Sequence, residues 1–313
     1  MKTLITGATG QIGSELTPAL ADQYGDENII AVGHRRQPGA ELRAGYYFSL
    51  DIRNTSELQE IVATHQIKTI FHLASLLSAV AEGNPQQAWD INMNGLLNVL
   101  ETARQYDCAV FFPSSIGAFG PKTPRNNTPQ DTIQRPNTIY GITKLSGELL
   151  CDYYQQHYAV DVRGLRFPGL ISWKTQPGGG TTDYAVEIFS AAICNRSYDC
   201  FLRANTQLDM MYMPDAIAAI IKLMQADPTR LIHHNAFNVT AMSFTPELLA
   251  NEIKKHIPGF CINYKIDPVR QSIADSWPQH MNDSVARKEW GWQARYDMVA
   301  MVKDMLEHMR KTS

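Results

Sequence analysis

Seven residues near the amino terminus, Gly7-Ala8-Thr9-Gly10-Gln11-Ile12-Gly13, constrain the fold more than any other stretch of this chain. A short apolar run over 2–6 leads into them. A helical pattern over 11–23 follows, with Ile12, Leu16, Ala19 and Leu20 on one face. Gly7 permits a tight turn, Gly10 lets the backbone approach a pyrophosphate, and Gly13 lets helix and strand pack closely. The helix amino terminus then faces the anion. Loop glycines alone are common. Between a strand and a helix they point to dinucleotide binding.

The pattern after this motif keeps alternating. Strands are expected over 28–32, 46–50, 69–73, 109–112 and 162–167, and helices over 56–64, 84–106 and 140–158, with Ser56 as the cap of the first of these. Such alternation predicts an α/β fold, a Rossmann-type doubly wound parallel sheet with helices on both faces. The second half is less regular and predicts a smaller C-terminal α/β lobe that binds substrate. Residues 1–168 form the dinucleotide-binding domain in this reading and 169–313 mainly the lobe, with segments around 205–240 returning to the sheet. Helices are expected over 183–192, 214–224, 245–256 and 299–309, the third capped by Thr245 with Pro246 in its first turn.

Composition narrows the function classes. The chain has 313 residues, 44% hydrophobic and 19% charged, with 28 basic and 31 acidic side chains for a net charge of −3. That balance gives no reason to expect a nucleic-acid or anionic-membrane partner. Five cysteines, an odd number without a CxxC pair, fit reduced thiols, with Cys108 and Cys151 in apolar stretches. No secretion signal or membrane span is visible, so a cytoplasmic protein is expected. The nine histidines are scattered; only His233 and His234 adjoin, without further ligands at metal-binding spacing, and no metal is expected.

Two stretches carry chemistry. Tyr140 and Lys144 lie four apart on a helix and share a face. An ammonium beside a phenol favours the phenolate and lowers its pKa from about 10, so the phenol can take a proton from an alcohol while hydride leaves the adjacent carbon. The preceding strand ends in Ser114 and Ser115, either of which offers a hydroxyl to the substrate oxygen. A carboxylate is missing elsewhere. After the second strand an NAD site usually carries Asp or Glu against the adenosine ribose, whereas this chain reads Val32-Gly33-His34-Arg35-Arg36. The arginines read either as tolerance of the 2′-phosphate of NADP or as a solvated basic turn. Asp51 and Ile52, after the third strand, offer the adenine a carboxylate and an apolar contact.

Together, GxxGxxG, Ser114-Ser115-x-x-x-Phe119-Gly120 and Tyr140-x-x-x-Lys144 resemble the extended short-chain dehydrogenase/reductase family. Asn92 in Asn-x-x-Gly resembles its helix asparagine, and Asp283-x-x-x-Ala286-Arg287-x-x-x-Gly291-Trp292 its C-terminal end, so the likeness spans nearly the whole chain. The resemblance implies Tyr140, Lys144 and Ser115 as catalytic residues, with Ser114 the alternative serine. It implies coenzyme contacts from Gly7, Gly10, Gln11, Ile12, Gly13, Arg35, Asp51, Ile52, Leu73, Ala74, Ser75, Asn92 and Pro168, besides Tyr140 and Lys144.

Within that family several stretches are similar to the metal-independent L-threonine 3-dehydrogenases: Leu76-Leu77-Ser78-Ala79, Pro168 to Trp173, Gly178-Gly179-Gly180-Thr181-Thr182-Asp183-Tyr184-Ala185, Met210 to Met213, Ala241 to Pro246 and Ala274 to Pro278. The likeness implies oxidation of the threonine β-hydroxyl to 2-amino-3-oxobutyrate with NAD, in a possible homodimer. Gly33 departs from the acid those enzymes carry and leaves NADP open. Ser78, Gly180, Thr181 and Thr182, with Ser115 and Tyr140, are the expected substrate contacts. The glycine-threonine loop is expected to offer backbone N–H groups to a small carboxylate and to act as a lid. Met210 to Met213 and the tryptophans read as packing, with Trp277 placed to close over the substrate. Two other readings stand beside this one, a nucleotide-sugar epimerase or dehydratase on the same scaffold and a non-catalytic dinucleotide sensor.

Overall fold

The computed structural model describes residues 1–35, 37–175 and 178–312, apart from the side chains of Ala40 and Thr312. Its strands are β1 Thr3–Thr6, β2 Ile29–Gly33, β3 Tyr46–Ser49, β4 Thr69–His72, β5 Ala109–Ser115, β6 Val162–Phe167, β7 Gly169–Ile171, β8 Ser197–Cys200, β9 Leu208–Tyr212, β10 Phe237–Asn238, β11 Met242–Phe244 and β12 Cys261–Tyr264. The helices are α1 Gly13–Tyr24, α2 Thr55–His65, α3 Ser78–Gly83, α4 Pro85–Trp89, α5 Gly95–Tyr106, α6 Ile139–Tyr158, α7 Tyr184–Cys194, α8 Met213–Met224, α9 Pro246–His256, α10 Pro268–Ser276, α11 Ser284–Trp290 and α12 Met298–Thr312.

Seven strands form a parallel sheet in the order β10-β6-β5-β4-β1-β2-β3. This is the doubly wound Rossmann-type architecture. The chain runs outward from β1 through β2 to β3, then returns to β4 on the other side, so the order reverses between β1 and β4. Ligands of such sheets bind at the carboxyl ends beside that reversal. Side chains alternate between the two faces of a strand. Leu4, Ile30 and Val110 accordingly pack with Leu58, Val99 and Leu100 on one face, while Ile5, Ala31 and Phe111 pack with Leu16, Leu20 and Ile217 on the other. Both faces are covered, which is why these strands read as unbroken apolar runs.

A second core lies outside the sheet, built on Tyr184, Phe189, Leu208, Tyr212, Phe244, Phe260, Met301 and Leu306. The methionine run joins the two. Met210 packs in this core, Met211 and Met213 pack in the sheet core, and all three are fully buried. Of the segments expected to return to the sheet, β10 pairs with β6, whereas β9 joins a separate three-stranded sheet between β11 and β7.

Local chemistry moves some expected boundaries. Asn54, not Ser56, caps α2, its side chain accepting from the Glu57 amide. The long helix expected over 84–106 is interrupted. Asn84 caps α4, a π-turn over Asp90–Asn94 follows, and α5 resumes. The wide turn carries Asn92 into the interior, where its amide holds both the N–H and the C=O of Leu76 at 2.8 and 3.2 Å and reaches Thr143 Oγ1 at 3.1 Å. The 76–78 segment is thereby tied to α6, the helix that bears Tyr140.

Candidate active site

The glycine turn is held by contacts that admit no side chain. Gly7 has φ +69°, and a Cβ there would lie 2.8 Å from the Ala74 nitrogen. A Cβ on Gly13 would lie 2.4 Å from the Gly7 carbonyl oxygen and 2.6 Å from Ala8 Cα. The start of α1 therefore sits directly against the turn. Among the described residues the amides of Gln11 and Ile12 meet no acceptor, and both residues line the cavity above. Free amides at a helix start suit a pyrophosphate, so this cradle fits a dinucleotide.

Two cavities meet over that turn and share Gly7, Gly10, Gln11, Leu73, Ser75 and Leu77 as common wall. The larger, about 460 Å³, runs past Ala74 and Gln87 to the ends of β2 and β3, where Gly33, His34, Arg35, Asp51, Ile52 and Arg53 line it. The smaller, about 210 Å³, is lined by Ser115, Tyr140, Lys144, Pro168, Ser78, Thr181, Thr182, Asp183 and Trp277. A long groove ending in a small chamber is the shape expected for a dinucleotide delivering its nicotinamide to a small substrate.

Thr138 caps α6, its hydroxyl accepting from the Gly141 amide at 3.0 Å, and this sets Tyr140 in the first turn. The Tyr140 ring packs on Ala81 and Ala88 and is 8% exposed. The backbone of Gly117, beside Ser115, comes so close that a Cβ would stand 3.1 Å from the ring. Lys144 Nζ donates to the Pro113 carbonyl at 2.8 Å and lies 5.6 Å from the centre of the Tyr140 ring. Burial lowers the Lys144 pKa to about 8, opposed by Cys151 and Glu148. Burial raises that of Tyr140, and the hydrogen bond with Ser115 pulls it back. This corrects the expected lowering. The ammonium is spent on a carbonyl, and in the protein itself burial outweighs it.

The structure separates the two serines. Ser114 donates to Glu148, which forms a buried ion pair with Arg166 at 2.8 Å. Both line the chamber, but Ser115 accepts from the Gly117 amide at 3.1 Å and is the one that hydrogen-bonds the Tyr140 phenol.

Several expected contact residues also have partners within the protein. Asn92 lines neither cavity and works one layer behind, on Leu76. Asp51 is chelated by Arg53, Oδ1 to Nε at 3.0 Å and Oδ2 to Nη2 at 2.6 Å, which lowers its pKa to about 2. Two of the glycine loop's amides, those of Gly179 and Gly180, both donate to Asp183 Oδ2, at 2.8 and 2.7 Å, and are thereby taken from a ligand carboxylate. Ser78 and Thr181 are hydrogen-bonded to each other at 3.3 Å. Arg36 lies outside the described residues. Leu77, Ile116 and Asp183 join the chamber wall without having been expected there. Trp277 lines it, its carbonyl held by Arg125 Nε at 3.0 Å. Among the described residues no group of three or more His, Cys, Asp or Glu is placed to hold a metal, and no helix is long and apolar enough to cross a membrane.

Residues 3–239 match the model of the NAD dependent epimerase/dehydratase family. An uncharacterized epimerase/dehydratase of Staphylococcus haemolyticus is 50% identical over 98% of this chain and 96% of its own. An L-threonine dehydrogenase structure from Clostridium difficile superposes with TM-score 0.97 at 55% identity, covering 99% of this chain and 98% of that one. The holo form of a GalE-like L-threonine dehydrogenase from Cupriavidus necator does so with TM-score 0.96 at 49% identity, over 99% and 100%. A UDP-glucose 4-epimerase from Thermotoga maritima shares the fold at 22% identity and TM-score 0.87. The chain belongs to the NAD dependent epimerase/dehydratase family, within the extended short-chain dehydrogenases/reductases, and is a nicotinamide-dinucleotide-dependent oxidoreductase.

Proposed function

We propose that the protein oxidises the β-hydroxyl of L-threonine to give 2-amino-3-oxobutyrate. The observation that carries this is the charge on the chamber wall. Among the described residues lining it, Lys144 and Asp183 are the two charged ones. Both loop amides land on Asp183 Oδ2, which leaves Oδ1 without a hydrogen-bond partner among the described residues. A carboxylate in the same chamber as Tyr140 suits an α-ammonium, and the Ser78–Thr181 hydroxyl pair, with Thr182, suits the carboxylate of the same amino acid. The volume, about 210 Å³, falls below the roughly 300–1,000 Å³ of sites for drug-sized ligands, which favours a small amino acid over a sugar nucleotide. The likeness to L-threonine dehydrogenases over nearly the full length supports the same reading.

Tyr140, Lys144 and Ser115 are the catalytic residues of this proposal. The Ser115 hydroxyl orients the substrate hydroxyl beside the phenol. The ionised Tyr140 oxygen takes the hydroxyl proton as the Cβ–H bond breaks and the C=O bond forms. Lys144 holds positive charge near the ring and a donor toward the coenzyme ribose. When bound, the oxidised nicotinamide supplies the carbon that accepts the hydride and a further positive charge beside the phenol. Gly7, Gly10, Gln11, Ile12 and Gly13 hold the pyrophosphate, and Leu73, Ala74, Ser75 and Pro168 line its path. The resemblance points to NAD. Coenzyme choice turns on the adenosine end, where Gly33 stands in place of the acid.

The test is reduced-nicotinamide absorbance with purified protein and L-threonine, run with NAD and NADP in separate reactions. L-threonine-dependent reduction with either is expected. No reduction with either, alongside turnover of a uridine or thymidine sugar nucleotide, overturns the reading in favour of an epimerase or dehydratase. Tight coenzyme binding without turnover of any alcohol overturns it in favour of a sensor.

A further inference from the structure

The end of β2 is built differently from a site that selects NAD. There a carboxylate hydrogen-bonds the ribose hydroxyls and repels a 2′-phosphate. Here the position is Gly33, and the space a side chain would enter is already taken. A Cβ on Gly33 would stand 2.3 Å from Tyr47 Oη and 3.3 Å from Thr9 Oγ1. Tyr47 sits on β3, paired with Ala31 of β2. Two neutral hydroxyls thus occupy the place of the acid, and burial keeps the Tyr47 phenol un-ionised.

The nearest carboxylate does not replace it. Asp51 lines the same cavity, but both its oxygens are held by Arg53, with His34 Nε2 at 3.8 Å. Arg53 in turn bridges to Asp90 at 2.6 Å, outside the cavity wall. What remains on the wall beside Gly33 is cationic or neutral. Arg35 and His34 are exposed and both face the cavity. Summed over the described charged groups lining this end, Arg35 and Arg53 against Asp51, the wall carries net positive charge. An exposed arginine next to a ribose, with no competing acid, suits a phosphate monoester.

We infer that the adenosine end of this chain accepts a 2′-phosphate, so that NADP(H) binds at least as tightly as NAD(H), with Arg35 and His34 as its ligands and the lack of an acid at Gly33 leaving its charge unopposed. This rests on the reading of the chain as a dinucleotide-dependent dehydrogenase and is independent of the substrate it oxidises.

The experiment is fluorescence titration of the full chain with NADPH and NADH in the absence of substrate, paired with the L-threonine assay. Wild type is expected to bind NADPH as tightly as NADH or tighter. Arg35→Ala should lower the NADPH-to-NADH affinity ratio by about tenfold or more, the loss of a charge-assisted hydrogen bond. Gly33→Asp, made with Tyr47→Phe to clear the oxygen a Cβ would meet, should turn the ratio toward NADH. NADH binding more than about tenfold tighter than NADPH in wild type overturns the inference, as does an unchanged ratio in Arg35→Ala. Because the titration contains no substrate, NADPH binding without threonine turnover sinks the threonine reading alone. Threonine turnover on NAD with no NADPH binding sinks the coenzyme inference alone.

Discussion

Tyr140→Phe removes a single oxygen, and the structure sets what should follow. The ring stays wedged between the Gly117 backbone and the Ala81–Ala88 surface. Ser115 is the polar side chain that bonds the phenol, so the stability cost is that of one hydrogen bond, about 1 kcal/mol. Activity should suffer far more. The phenol lines the chamber and is hydrogen-bonded to Ser115, which makes it the group placed to exchange a proton with the substrate hydroxyl. Removing a positioned acid–base group costs about 10²–10⁴ in rate, or roughly 3–5 kcal/mol on the barrier at 1.36 kcal/mol per decade. Single-turnover reduction of the coenzyme would read the chemical step, and fluorescence titration the binding. The expected result is a kcat lower by about a hundredfold or more with coenzyme affinity nearly intact. A variant that keeps more than a tenth of wild-type kcat would refute the assignment of Tyr140 as the base. One that loses coenzyme binding as well would refute the claim that the ring, not the oxygen, shapes the site.

Two further outcomes concern buried charge. Glu148→Ala leaves the Arg166 guanidinium, 6% exposed, holding only the Gln130 carbonyl and the side chains of Asn238 and Gln134, so chemical denaturation should show a loss of about 3–5 kcal/mol. Glu148→Gln, which keeps acceptors for Ser114 and Arg166, should lose less, and equal losses would show that the ion pair is not what holds this layer. Asp209 is fully buried and accepts from Thr240 and from the Met281 amide, at 2.7 Å for the latter, and burial raises its pKa from 3.8 to about 7. Between those values the folded protein holds a proton that the unfolded chain lacks. Its contribution to stability is therefore complete below pH 3.8 and lost as pH rises through about 7, with a slope of up to about 1.4 kcal/mol per unit. Unfolding curves of Asp209→Asn should be flatter than wild type over that window, and an unchanged slope would exclude Asp209 as its source.

The coenzyme end was legible because its signals are local. A strand, seven residues and a helix start specify the cradle, and the pair four apart on α6 specifies the phenol and the ammonium. Ser114 and Ser115 were not separable at that level. Neighbours on a strand point to opposite faces, and only the packing of α6 shows that Ser114 bonds Glu148 while Ser115 bonds the Tyr140 phenol. The break in the 84–106 helix was hidden for a related reason. A π-turn adds one residue to a turn without changing which residues are apolar, so periodicity runs through it. Strands of two or three residues, such as β7, β10 and β11, are shorter than one alternation can reveal, and β12 is largely exposed and shows none.

The substrate end was harder to read because long-range contacts build it. A sheet and glycine turn of this kind serve many reactions, so what this chain oxidises must be decided by the residues that close the chamber. These come from the loop after β7 and the residue after α10. The sequence suggests a glycine-rich anion cradle. In the structure the Asp183 side chain, 7% exposed, fills part of that cradle, with the Gly179 and Gly180 amides on one of its oxygens. A second carboxylate beside Asp183 would be repelled, and an ammonium attracted. Thr181 in the same loop is tied to Ser78 at the start of α3, and Trp277 is tied through its carbonyl to Arg125, so this wall of the chamber is braced from two sides. In the proposed reading, a chamber lined by both the Tyr140 phenol and the Asp183 carboxylate favours a substrate carrying a hydroxyl and an ammonium close together, as a β-hydroxy amino acid does.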